Sequence, residues 1–186
     1  MNIRMTILAV GLLLGSAVLN DAKDQSKVAY NLALARNAFS EIYGEGNVEL
    51  VDRLYADDFV DDSPGGGKGR ALIREAVIGF HRAFPDLRIE IEDAFAVDDK
   101  VALRYTAHGT QTGAYYDIPP SGKSVAIRGI TIFQITNGKI KIEWTEYDRL
   151  GALRQIGAIP SDCQRQTKNF LSAWSATLPQ PSCSLR

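Results

Sequence analysis

The chain has 186 residues, of which 45% are hydrophobic and 23% charged, and its formal net charge is −1. That length supports one well-filled core and is short for two ordinary domains. A near-neutral chain without a dense Lys/Arg run offers no electrostatic footprint for nucleic acid or an anionic membrane surface, so neither is expected as a partner.

Arg4, the apolar run from Met5 to Leu14, the small residues Gly15, Ser16 and Ala17, and a polar stretch from Asn20 have the layout of a signal peptide over residues 1–22, cut after Ala17 or Ala22. The run is shorter than the ~20 apolar residues that span a bilayer. The mature chain is therefore expected to be secreted or periplasmic, free of the membrane after cleavage, with a folded domain over 26–160 and an extension over 161–186.

From Ser26 to Tyr43 the residues Val28, Leu32, Ala35, Phe39 and Ile42 recur at helical spacing, and Gly44 supplies the stop. A shorter helix is expected after the N-cap Asn47, through Leu50, Val51, Leu54 and Tyr55. The stretch 61–69, DDSPGGGKG, reads as a flexible loop; it lacks the Gly-Lys-Ser/Thr ending of a phosphate loop, and no strand is evident before it. Leu72, Ile73, Ala76, Val77, Phe80 and Phe84 trace a third amphipathic helix, which Pro85 ends.

The period then changes to two. Strands are expected at Leu87–Ala96, Lys100–Gly109, Ser124–Ile135 and Lys139–Tyr147, with Asn137-Gly138 as a two-residue hairpin turn. Helices followed by antiparallel strands indicate an α+β domain whose curled sheet packs on the N-terminal helices and encloses an apolar pocket. Residues 162–177 suit one more helix, carrying Phe170, Leu171 and Trp174. Cys163 and Cys183 permit one intrachain disulfide, which would contribute on the order of 3 kcal/mol, or two free thiols. No Cys/His spacing suggests a metal site, and no cofactor is expected.

Candidate chemistry centres on IEWTEYDRLGALRQIG, residues 142–157. Alternation from Ile140, Ile142 and Trp144 places Glu146 and Asp148 on the same, apolar face. Asp148 beside Trp144 at a pocket mouth would gain a raised pKa and serve as general base; it equally suits the N-cap of a helix over the residues that follow. Glu146 could partner it or, past a bulge, face solvent. His108 lies in a polar row with Thr106 and Arg104 beside the expected cavity, whereas His81 reads as a satisfied or surface imidazole.

Taken in order, IYGEGNVELVDRLYADDFVDDSP, AFPDLRIEIEDAFAVDDKVALRYTAHGTQTG, DIPPSGKSV, NGKI and EWTEYDRLGALRQIG resemble the SnoaL-like polyketide cyclases, or ester cyclases, of the nuclear transport factor 2-like superfamily, over roughly Ala33 to Pro160. The resemblance implies a cone-shaped α+β fold with a deep apolar pocket. It also implies an intramolecular aldol ring closure without metal or organic cofactor, and Asp148 occupies the place of its W-x-x-x-D aspartate. Members often carry His after FVD and in a GTHTG stretch, where this chain has Asp62 and Gln111; Gln cannot titrate near neutral pH.

The expected function is proton transfer at Asp148 on a small hydrophobic carbonyl compound. Tyr105 and Gln111 would place or polarise the carbonyl, and Trp144 would form an apolar wall. Tyr105 and His108 point to opposite faces of a regular strand, so a bulge is needed for both to line one pocket. The rival reading is a binding module of the same fold, and a homodimer on the outer sheet face is compatible with either.

Overall fold

A computed structural model describes residues 22–159 of the protein. All but the last residue of the expected signal peptide, the extension with its helix over 162–177, and the Cys163–Cys183 pair lie outside the described residues. Helix α1 covers 22–37 and continues as a π-helical turn over Ala38–Gly44, ending at the expected glycine. A 3-10 turn, Val48–Leu50, leads into the single turn α2, Val51–Leu54, and directly into a strand, β1, Tyr55–Asp61. Helix α3 follows at Ala71–Ala83, then β2 Arg88–Val97, β3 Lys100–Thr110, β4 Ser124–Thr136, β5 Lys139–Tyr147 and α4 Arg149–Ile156.

The five strands form a curled, unclosed sheet in the order β1-β5-β4-β3-β2. The α+β class holds, but the sheet is mixed rather than wholly antiparallel, because β1 pairs parallel to β5. Strand β1 escapes sequence reading because its register is irregular: Tyr55 and Phe59 are buried four residues apart, while Asp57 and Asp58 between them are exposed. An edge strand pairs on one side only and tolerates such charges. The glycine-rich loop after it folds back on it, with Asp61 N–H donating to Gly67 O and Gly69 N–H to Phe59 O. A Cβ on Gly66 would lie 2.2 Å from Asp61 O, so this close backbone approach requires glycine.

Strand β4 keeps strict alternation, with Val125, Ile127, Gly129, Thr131, Phe133 and Ile135 facing the helices. Asn137 and Gly138, at φ +52° and +72°, close the hairpin to β5 with the left-handed pair that a type I′ turn needs. One core cluster gathers Phe39, Ile42, Tyr55, Phe59, Leu103 and Phe133; a second, around Phe84, Tyr115, Ile127 and Ile156, closes the other end of the sheet. His81 is satisfied, its Nε2 lying 3.0 Å from Tyr43 O.

Gly129 is a tight inward position of β4, because a Cβ there would stand 2.5 Å from Tyr105 Oη and 3.0 Å from Glu146 O. Gly129→Ala is therefore expected to overpack this layer and destabilise the fold by about 1–3 kcal/mol, read as a fall in thermal midpoint. An unchanged midpoint would show that Tyr105 can swing away freely.

Candidate active site

Hairpin geometry alone would set Phe133 opposite Ile142 and Thr131 opposite Trp144, continuing the register of Ile135 with Ile140. The observed register breaks there: Ile135 pairs with Ile140, but Gln134 pairs with Ile142, so Lys141 is an extra, bulged residue. Past the bulge the strand presents its other face inward, and Phe133 now opposes Glu143 and Thr131 opposes Thr145. A one-residue slip exchanges the two faces of a strand. Lys141 pairs with Asp58 of β1, which holds the bulge from the outside.

Between the two core clusters lies a cavity of about 540 Å³. Phe39 and Tyr43 come to it from the π-helical turn, and Ile73, Phe80 and Phe84 from α3 and its end. The sheet contributes Ile89, Tyr105, Ala107, Val125 and Ile127, and the loop after β1 adds Pro64, Gly65 and Gly66. Into this apolar space the bulge turns Glu143, which is 4% exposed.

Hydroxyl groups satisfy that carboxyl. Thr145 Oγ1 donates to Glu143 Oε1 at 2.9 Å, Tyr43 Oη lies 3.2 Å and Tyr55 Oη 3.4 Å from Oε2. Asp61, a neighbour through the parallel register of β1 and β5, also lines the cavity and accepts the N–H of Ser63. Burial is the main force on Glu143 and pushes it up to about 7; the negative charge of Asp61 adds to this, while the Thr145, Tyr43 and Tyr55 hydroxyls oppose it. Burial also raises the Tyr43 phenol well above its usual value and Tyr105 to about 12, so both keep their protons and remain donors. A carboxyl poised near neutrality beside neutral phenols, in a largely apolar cavity, can take a proton from a weakly acidic carbon and return one to oxygen.

The residues expected from the sequence are distributed otherwise. Asp148 is exposed, its Oδ1 accepts the N–H of Gly151 at 2.7 Å as the N-cap of α4, and it does not line the cavity. Glu146 reaches the rim with an exposed side chain on outward parity, opposite Ile130. Trp144 lies on the outer face, its Nε1 donating to Asp62 Oδ2 at 2.8 Å and Lys100 standing over its ring. His108, with Arg104 and Thr106, also faces outward, 3.7 Å from Glu90.

Gln111 is fully buried but lies beside the cavity rather than in its wall; its Nε2 donates to Gly113 O, Ile118 O and Pro119 O, clamping the loop after β3. Of the expected pocket residues, Tyr105 alone has its ring in the wall. The two positions where family members often carry His, Asp62 and Gln111, therefore hold an outer tryptophan and a loop.

Glu143 escapes sequence reading because regular alternation from Ile140 assigns it to solvent, and no proline or glycine marks the bulge.

A protein-family model for SnoaL-like polyketide cyclase matches residues 33–156. Among solved structures, TsrD from Streptomyces laurentii is 30% identical, covers 70% of this chain and 97% of its own, and superposes with a TM-score of 0.65. A protein from Bacillus cereus assigned as a polyketide cyclase is 28% identical, with 73% and 86% covered and a TM-score of 0.63. AclR from Streptomyces galilaeus, assigned as a hydroxylase, shares the fold at 22% identity and a TM-score of 0.69, covering 80% of this chain and 96% of its own. No curated protein sequence matches the chain.

The raised value of Glu143 makes folding stability depend on pH. Its carboxyl holds a proton more tightly folded than unfolded, so its contribution is complete below the ordinary value of 4.5 and is lost as pH rises to about 7. Across that window stability is expected to fall by on the order of 3 kcal/mol, and Glu143→Gln should flatten the fall. Urea denaturation at a series of pH values reads this directly; identical profiles for the two proteins would place Glu143 in a solvated setting.

Proposed function

The chain belongs to the SnoaL-like polyketide cyclase family, and from that premise we propose that it is a proton-transfer enzyme of cyclase or isomerase type acting on a small hydrophobic carbonyl compound. Glu143, rather than Asp148, is its general base. The observation that carries this reading is a carboxyl buried at the wall of a 540 Å³ cavity and raised to about 7. A volume of that size suits a ligand of drug-like dimensions.

In the forward step, ionised Glu143 removes a proton from a carbon acidified by an adjacent carbonyl. The resulting enolate attacks a second carbonyl of the same molecule, forming one carbon–carbon bond. The new alkoxide then takes the proton back from the carboxylic acid, so the net change is an isomerisation without redox or loss of atoms. Tyr105, protonated and lining the cavity, is placed to donate to the enolate oxygen, while the Tyr43 hydroxyl donates to Glu143.

A panel of aryl β-dicarbonyl compounds tests the proposal. Wild-type turnover should rise with pH through about 7 as Glu143 ionises. Glu143→Gln is expected to lower kcat/KM by about 10²–10⁴-fold. Asp148→Ala should keep the rate while losing about 1 kcal/mol of stability, the usual cost of a lost N-cap. Inactivation by Asp148→Ala alone would return the base to Asp148. Thermal protection by these compounds with no turnover would favour the binding module.

The same proposal includes export, which rests on the Met5–Leu14 run and its small-residue flank. N-terminal sequencing of the protein recovered outside the cytoplasm is expected to begin after Ala17 or Ala22; a chain retained with Met1 would remove it.

A further inference from the structure

Polarity along the cavity is uneven. Glu143 and Asp61 place two carboxyl groups in the wall toward β1, and Glu143 is among the most enclosed of the lining residues. One mouth is formed by Tyr116, which is 54% exposed, by Tyr147 and by Arg149, the first residue of α4. Among the described residues, Arg149 is the one cation in the lining.

Its guanidinium is held but not neutralised. It stacks on the Tyr116 ring with 4.2 Å to the centroid, and no ion pair to it occurs among the described residues. The platform beneath it is itself fixed in an unusual conformation. Tyr116 has φ +52°, outside the region a tyrosine ordinarily adopts, and its hydroxyl lies 3.1 Å from that of Tyr147. A strained aromatic bonded to β5 on one side and stacked under an arginine on the other presents that charge at the opening with little freedom. Strain of this kind concentrates where a site must be pre-organised. Glu146 at the rim and Asp148, which caps α4, are both exposed, and neither forms an ion pair with Arg149.

We propose that the cavity takes an amphiphilic carboxylic acid, its apolar, carbonyl-bearing body filling the interior and its carboxylate held at the mouth by Arg149 on the Tyr116–Tyr147 platform. The inference rests on the cavity being the substrate site. Charge then fixes the direction of entry, because the carboxylates of Glu143 and Asp61 repel the acid end and Arg149 attracts it. The acidic carbon is delivered to Glu143 by the same polarity that anchors the other end, which is the positioning that an intramolecular reaction requires.

Calorimetric titration with 4-(2-naphthyl)-4-oxobutanoate and with its methyl ester separates charge recognition from apolar fit. At a pH of about 8 the acid is ionised and should bind the wild-type protein about tenfold more tightly than the ester. Arg149→Gln is expected to remove that advantage, weakening the acid about tenfold and the ester less than about twofold. Equal affinity of acid and ester for the wild type would overturn the inference and leave the cavity as a neutral-ligand site. Equal weakening of both probes by Arg149→Gln would overturn it too, by showing that Arg149 shapes the mouth without reading charge. Binding of neither probe would overturn the cavity as the substrate site, and this inference with it.

Discussion

Lys141 stands unpaired in β5 because Ile140 opposes Ile135 while Ile142 opposes Gln134, and that offset exchanges the two faces of the strand from there to its end. Before the bulge Ile140 fills the core; after it Glu143, Thr145 and Tyr147 enter the cavity wall, while Ile142, Trp144 and Glu146 turn outward. The extra residue also sets β1 against β5 so that Asp61 falls beside Glu143. Without it the cavity would receive a tryptophan and an isoleucine where it now receives a carboxyl and a hydroxyl. Bulges recur next to active sites because they re-aim side chains without altering the rest of a sheet.

Burying a carboxyl costs several kcal/mol when it is ionised and unpaired, so the surroundings of Glu143 matter as much as its position. Three hydroxyl groups, from Tyr43, Tyr55 and Thr145, come to it from the π-helical turn, from β1 and from its own strand. Thr145 is in turn bonded to Thr131 across the hairpin at 2.8 Å. The network stabilises both protonation states enough to keep the group titratable near neutrality instead of locking it in one form. Helix, edge strand and hairpin each contribute a hydroxyl to one carboxyl, so the site assembles only when the domain has folded.

The outer face follows a different logic. There the carboxylates Glu90, Glu92 and Asp93 meet His108, Thr106 and Arg104 across β2 and β3, and Asp62 meets Trp144. These are exposed or half-buried pairs of modest energy, and they account for polar residues that alternation places in one row with His108. The loop after β3 is held from within by Gln111 and by the backbone bonds of Gly113 to Ala83 and of Gly122 to Gln111. It thereby carries Tyr115 and Tyr116 to the cavity mouth.

Local pattern was enough for the elements that alternation, capping and turn chemistry control. The helix ending at Gly44, the helix from 71 to 83, the four antiparallel strands and the Asn137-Gly138 turn all lie within a few residues of where periodicity and capping place them. The α+β class follows from their order, and the ordered motifs suffice to suggest the family. Which carboxylate enters the cavity is another matter, because Asp148 and Glu143 differ only by a register that no residue in 139–147 announces. That register is decided where β1 and β4 grip β5 from both sides and Lys141 reaches Asp58, and the contacts with β1 join residues more than eighty apart in the chain. Side-chain direction in a strand is a property of pairing, and pairing exists only in the folded sheet.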